Sequence, residues 1–124
     1  MEIGIQNQLK ETVFEGESAK NIGSGELDVL ATPCLIAIIE KACWQLVSPY
    51  LEQGQSTVGS KVDLLHLYPT AIGKEITVDV ELIDIDRRRL TFKIEAHDDK
   101  NKIAEGQHER FIIDKEKFIA KTNW

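Results

Sequence analysis

The clearest pattern of apolar and polar positions in this sequence is a long run that begins at Thr32. The letters CLIAIIEKACWQLV place apolar side chains around most of a helical circumference, which is typical of a buried helix. Thr32 is suited to the N-cap, and Pro33 to the first helical position, where its missing N–H costs nothing. We therefore predict a buried helix that starts here, bends near Pro49 and ends at Gly54.

Alternating apolar and polar positions predict extended segments on both sides of this helix. A strand is expected around Leu9 to Phe14, and a glycine-containing loop, NIGSGELDVLA, leads from it to the helix. After the helix, the pattern predicts four strands, at 56–68, 74–86, 90–98 and 103–114. The apolar set slips by one residue after Leu82, which indicates a β-bulge. The predicted class is α+β, and an antiparallel sheet wrapped around one long helix is the hot-dog fold.

Composition and charge narrow the classes of function. The 124 residues are predicted to form a single domain, 1–124, with a net charge of −6 at pH 7. Such an acidic chain lacks the basic field that sequence-independent binding to nucleic acid requires. No signal peptide or membrane-length apolar run is visible. Cys34 and Cys43 lie too far apart along one helix for a disulfide, so we expect free thiols and a cytoplasmic protein. The short apolar runs predict that it has no membrane partner.

Two residues of the predicted helix are candidates for chemistry. Glu40 interrupts an apolar stretch, and an unpaired buried carboxylate is costly. Either it faces solvent beside Lys41, or a pocket holds it for a reaction. Thr32 precedes it by eight residues, so both point to one side of the helix, about 12 Å apart along the axis. A capping role would explain Thr32 equally well.

His66 is the third candidate, because it lies inside an apolar run of the first strand after the helix. It is either a core histidine or a base that faces a carboxylate or hydroxyl group. Strict alternation places it on the same face as a mostly apolar row, namely Val58, Ser60, Val62 and Leu64. No metal-ligand spacing links His66 to His97 or His108, and no glycine-rich phosphate loop is present.

Three motifs occur in a characteristic order: VLATP with a glutamate eight residues after its threonine, TVG leading to a histidine, and HER in the last strand. With them, residues 14–113 resemble the hot-dog thioesterase family of the fluoroacetyl-CoA thioesterase type. The resemblance implies that Thr32, Glu40 and His66 form the catalytic set. It also implies that Gly59 and Arg110 line the acyl site.

The activity implied by the resemblance is hydrolysis of a short or small acyl-CoA thioester by a homodimer. No cofactor or metal is implied, since coenzyme A is part of the substrate. Lys61 and Asp63 differ from the residues usual in the family, so a preference for fluorinated acyl groups is not implied. Residues 87–89, all arginine, either bind the phosphates of coenzyme A or form a solvated turn. The alternative function is a non-catalytic protein that binds acyl-CoA or a small lipid.

Overall fold

The computed structural model describes residues 1–123, within which five strands form one antiparallel sheet beside one long helix. The strands lie in the order β1-β3-β4-β5-β2. Their bounds are β1 Gln6–Thr12, β2 Gln55–His66, β3 Glu75–Asp86, β4 Arg89–His97 and β5 Lys102–Asp114. The helices are α1 Ala19–Ile22, α2 Thr32–Val47 and α3 Lys115–Ala120, and short 3₁₀ turns occupy Glu15–Glu17 and Ser48–Tyr50. The α+β prediction is therefore confirmed, although the first strand begins and ends earlier than predicted.

The long helix α2 packs one side on the sheet. Its buried side chains recur every three or four residues: Leu35, Ile38, Ile39, Ala42, Cys43 and Val47. They meet a row of buried side chains from β3 and β4, namely Ile76, Val78, Val80, Leu82, Leu90, Phe92, Ile94 and Ala96. The opposite side of α2 is exposed, so the prediction of burial around most of its circumference is wrong for a single chain.

Both predicted ends of α2 are corrected by the structure. Ala31, with extended backbone angles, occupies the N-cap, and Thr32 is the first helical residue. Its hydroxyl makes no capping bond and contacts His66 instead. The helix ends at Val47 and not at Gly54, because Pro49 lies in the following 3₁₀ turn and has no N–H to continue an α-helix.

A β-bulge in β2 changes which residues face the helix. The pairing with β5 shifts between Gly59 and Lys61, so Ser60 is the extra residue. Val58 and Ser60 therefore do not share a face with His66, contrary to strict alternation. The residues on the helix-facing side of β2 are Thr57, Gly59, Val62, Leu64 and His66. The bulge predicted after Leu82 in β3 is confirmed by a register shift between Leu82 and Asp84.

The α2 helix has 16 residues. Within residues 1–123, no helix is long and apolar enough to cross a membrane.

Candidate active site

The first cluster of candidate residues lies at the amino-terminal end of α2. Thr32 opens the helix and His66 ends β2, and their Oγ1 and Nδ1 atoms are 2.7 Å apart. Nε2 of His66 is buried and has no hydrogen-bond partner among the described residues. Burial lowers the pKa of His66 below its usual value, so the imidazole is neutral near pH 7. A neutral imidazole beside a hydroxyl group can accept a proton.

A cleft of about 360 Å³ opens beside this pair. It lies between the start of α2, the end of β2 and the segments that flank them. Its walls are mostly apolar, and they include Val29, Leu30, Pro33, Leu67, Tyr68 and Pro69. Its volume lies within the range of small-molecule sites, and polar groups of Thr32 and His66 are within it.

The second cluster is built around Glu40 and Arg110. Arg110 is 5% exposed, and its Nη1 lies 3.3 Å from Oε2 of Glu40. The side chain of Glu40 keeps 38% of its accessible surface. Lys41, the alternative partner suggested by the sequence, instead pairs with Glu11 across 3.0 Å. Glu40 is therefore neither unpaired in an apolar pocket nor a surface partner of Lys41.

Thr57 and His108 fix the position of Arg110. Its Nε donates to Oγ1 of Thr57 at 2.8 Å, and its Nη2 donates to the Thr57 carbonyl at 2.9 Å. Nη1 also lies 3.2 Å from Nε2 of His108, which is 1% exposed. Gly59 makes room for this cluster, because a Cβ there would lie 2.5 Å from Oε2 of Glu40. The structure places Arg110 on the helix side of the sheet, and its role in lining the acyl site stays a prediction.

Within one chain the two clusters are separate. His66 pairs with Ala104 and Gly59 pairs with Arg110, so the two pairs are six positions apart along β5. At the rise of a β-strand this is roughly 20 Å. The structure thus brings Thr32 to His66, and Glu40 to Arg110 and Gly59, but it does not bring Glu40 to His66 in the same chain.

The two cysteines are free and poorly suited to nucleophilic roles. The pKa of the Cys43 thiol is raised to about 12, chiefly by burial, with the charge of Arg110 lowering it and the charge of Glu40 raising it to smaller extents. Burial also raises the pKa of Cys34, with a smaller contribution from Glu17. Since the thiolate is the reactive form, both fit the sequence-based interpretation as small apolar side chains.

The three consecutive arginines of the β3–β4 turn each have a carboxylate partner. Arg87 lies 3.7 Å from Asp86, and Arg88 lies 3.5 Å from Asp114. Arg89 lies 3.2 Å from Asp86 and 4.0 Å from Glu109. These pairs favour the solvated turn over a phosphate site.

Sequence reasoning missed two members of the second cluster. Thr57 is the first letter of TVG and His108 the first letter of HER, but only Gly59 and Arg110 were predicted from these motifs. Alternation along the last strand places His108 on the same face as Arg110, and this pattern could have identified His108 as a member of the cluster. The side chain of Thr57 could not be assigned, because its face depends on the bulge at Ser60.

Comparison with known proteins identifies relatives of this chain. The sequence profile of the family described as "FlK: Fluoroacetyl-CoA-specific thioesterase" matches residues 13–116. A fluoroacetyl-CoA thioesterase of Streptantibioticus cattleyicolor is 38% identical over 95 residues, which are 77% of this chain and 68% of that protein.

Solved structures agree with the sequence comparisons. A threonine-to-serine mutant of the fluoroacetyl-CoA thioesterase FlK in complex with acetyl-CoA is 30% identical, with a TM-score of 0.94 over 98% of this chain and 96% of that chain. A hot-dog-like protein from Thermanaerovibrio acidaminovorans is 17% identical, with a TM-score of 0.88 over 97% of this chain and 89% of that chain. The hot-dog fold predicted from the sequence is thereby confirmed.

Proposed function

This chain belongs to the fluoroacetyl-CoA-specific thioesterase family and is a hydrolase of acyl-CoA thioesters, and we propose that Thr32, Glu40 and His66 perform the hydrolysis. The observation that carries the proposal is the 2.7 Å contact between Oγ1 of Thr32 and Nδ1 of His66, beside an apolar cleft. A neutral base next to a hydroxyl group is the arrangement that acyl transfer requires.

In the proposed reaction, oxygen adds to the acyl carbonyl carbon, the C–S bond breaks, and coenzyme A leaves as its thiol. His66 takes the proton of the attacking group and returns it to the sulfur. The attacking group is either the Thr32 hydroxyl, which gives an ester that water then hydrolyses, or a water molecule next to it. Glu40 orients this attacking group; if the Glu40 carboxylate attacks instead, the product is an anhydride that water, deprotonated by His66, then hydrolyses. The free N–H groups of the first turn of α2 stabilise the negative charge on the carbonyl oxygen.

We propose a short acyl-CoA as the substrate. Two of the relatives named above are fluoroacetyl-CoA thioesterases, and one of these structures is a complex with acetyl-CoA. Gly59 and Arg110 line the acyl site in this proposal, and coenzyme A enters as substrate, without a separate cofactor or metal.

We further propose a homodimer whose acyl sites lie between protomers. The argument is geometric, since Glu40 and His66 are far apart in one chain. An antiparallel pairing of two β2 strands, centred on Asp63, sets Gly59 opposite the partner subunit's His66. Both residues lie three positions from the centre when the extra residue Ser60 is not counted, so Glu40, beside Gly59, completes the site of the other protomer.

Surface properties support this assembly. In the part of the chain that the structure describes, β2 has β5 on one side and no strand on the other. A free strand edge is a template for pairing with another chain. Apolar side chains near this edge are exposed, including Leu65 at 58%, Leu67 at 50% and Tyr68 at 46%.

Two free cysteines also fit a reducing compartment, and we therefore retain the cytoplasm as the proposed location.

A thiol-release assay with purified protein tests the proposal. The panel contains acetyl-, fluoroacetyl-, propionyl-, butyryl- and longer acyl-CoA thioesters. We expect His66→Ala to lower turnover of the preferred short acyl-CoA by about two orders of magnitude or more, because the base is lost. His97→Ala, which changes another partly buried histidine in β4, is the matched control and should retain turnover. Parental turnover in His66→Ala would contradict the assignment of the base.

A further inference from the structure

His108 has a defined protonation pattern that its neighbours impose. The ring is 1% exposed, and its Nδ1 lies 2.8 Å from the carbonyl oxygen of Lys61. A carbonyl can only accept a hydrogen bond, so Nδ1 carries the hydrogen. In a neutral ring, Nε2 then has a free lone pair. Burial, reinforced by the charge of Arg110, lowers the pKa of His108, while the Lys61 carbonyl and Glu40 oppose this.

The lone pair on Nε2 is directed at Arg110. Nη1 of Arg110 is 3.2 Å away, and a guanidinium group can only donate, so Nε2 of His108 is the acceptor. The same Nη1 lies 3.3 Å from Oε2 of Glu40. One N–H of Nη1 therefore donates to His108 and the other donates to Glu40. Because both hydrogens belong to the same nitrogen, the direction of one N–H bond determines the direction of the other.

The remaining contacts hold both side chains rigidly. Thr57 accepts hydrogen bonds from the other side of the planar guanidinium group, at Nε and at Nη2. The ring of Phe92 lies against the His108 ring, with centroids 6.3 Å apart and planes inclined by 29°. Nε2 of His108 is 3.9 Å from Oε2 of Glu40, too far for a direct hydrogen bond. His108 thus reaches Glu40 through Arg110.

We propose that His108 is a positioning residue, whose unprotonated Nε2 orients Arg110 so that Arg110 holds the Glu40 carboxylate at the acyl site. This inference rests on the proposed function of Glu40. Arg110 has four of its five N–H groups engaged by Thr57, His108 and Glu40. The main role of Arg110 is consequently to orient the Glu40 carboxylate, and His108 determines that orientation through its contact with Arg110.

Two substitutions separate positioning from simple packing. His108→Gln can place an amide oxygen near the position of Nε2 and keep an acceptor for Arg110. His108→Asn can keep a donor to the Lys61 carbonyl, but it is too short to reach Arg110. We expect His108→Asn to lower kcat about tenfold or more with KM changed less than about threefold, and His108→Gln to keep kcat within about threefold. Equal losses of kcat in both variants, in step with their thermal midpoints, would overturn the proposal.

Nitrogen-15 NMR of the histidine rings provides a readout that does not depend on catalysis. We expect the neutral Nδ1–H tautomer for His108 near pH 7, with its resonance assigned by its loss in His108→Gln. An imidazolium or an Nε2–H tautomer would overturn the inference, even if the enzyme hydrolyses acyl-CoA. Parental turnover in His66→Ala or Glu40→Gln would instead refute the proposed catalytic roles and leave the tautomer result unaffected.

Discussion

At the scale of single residues, Gly59 is the position where the smallest side chain has the largest structural consequence. Oε2 of Glu40 lies 2.5 Å from where a Cβ of residue 59 would be, and two other polar side chains are close to the same point. The Cε1 atom of His108 would lie 3.1 Å away and Nη1 of Arg110 3.3 Å away. The absence of a side chain therefore determines where the Glu40 carboxylate can lie.

We predict that Gly59→Ala displaces Glu40 while the fold is retained. The nearest atom is the end of a flexible side chain, so the free energy of unfolding should fall by only about 1 kcal/mol, the lower end of the loss expected when the Glu40–Arg110 pair is weakened. A misplaced carboxylate should lower kcat/KM about tenfold or more. Ser60→Ala, the exposed neighbour in the same strand, is the control. Unchanged kcat/KM in Gly59→Ala would show that the carboxylate position does not matter.

Glu40 has a counter-charge, Arg110, which the neighbouring residues in the sequence do not indicate. From the apolar surroundings alone, removing the charge should not lower stability. The structure reverses this expectation, because the buried Arg110 would lose its carboxylate partner.

We predict that Glu40→Gln lowers both stability and activity. Since the Glu40 side chain is 38% exposed, the loss in free energy of unfolding should be only about 1–2 kcal/mol. Hydrolysis of short acyl-CoA should fall by about two orders of magnitude. Glu11→Gln breaks an exposed ion pair to the same helix and should cost under about 1 kcal/mol, with activity retained. Denaturant unfolding and thiol release measure both effects, and full turnover in Glu40→Gln would remove Glu40 from the mechanism.

At the scale of elements, the pairing of β2 with β5 decides the geometry of both clusters. The bulge at Ser60 turns Thr57 and Gly59 toward the helix, where they meet Arg110 on β5. Gly106 lies farther along β5, opposite Leu64. A Cβ there would collide with the carbonyl oxygen of Asp63 and lie 3.0 Å from the Leu64 Cα. Both of these are backbone atoms, so a side chain at 106 cannot be accommodated by rotating a neighbouring side chain.

We predict that Gly106→Ala destabilises the sheet itself. Because the backbone of β2 must move, the free energy of unfolding should fall by about 1–3 kcal/mol. Gly59→Ala is the matched comparison in the partner strand, since its nearest obstacle is a side chain. Denaturant unfolding of the two variants measures the difference. Equal stability of Gly106→Ala and the parent would show that the two strands can separate locally at no cost.

At the scale of the whole molecule, the separation of Glu40 from His66 leads to a test with mixed dimers. A dimer of one His66→Ala chain and one Glu40→Gln chain contains two shared sites. One site has both Glu40 and His66 intact, and the other lacks both. We predict that co-expression of the two inactive variants restores about a quarter of the parental rate, because half of the dimers are mixed and each has one of two sites.

Each variant alone, at the same concentration, is the control for the mixed dimers. Sedimentation should give the mass of a dimer for the parent and for both variants. A mixture as inactive as its components, despite confirmed mixed dimers, would place the site within one chain and contradict the shared arrangement.

The sequence by itself determined the elements and their class. The apolar pattern after Thr32 predicted the long helix, alternation predicted four of the strands closely, and a one-residue slip predicted the bulge after Leu82. These features depend on local periodicity, which a sequence displays directly. The resemblance of the ordered motifs to a thioesterase family predicted the activity and the fold.

Only the tertiary structure decided how the candidate residues are grouped. The sequence places Thr32 and Glu40 on one side of a helix, but it does not indicate that one meets His66 and the other Arg110. Pairings of this kind join residues 34 and 70 positions apart in the chain. They depend on strand register, and the bulge at Ser60 alters the register without leaving a pattern in the apolar residues. Long-range contacts are fixed by how the elements pack, and for that reason the contacts of Thr57 and His108 with Arg110 are visible only in the folded chain.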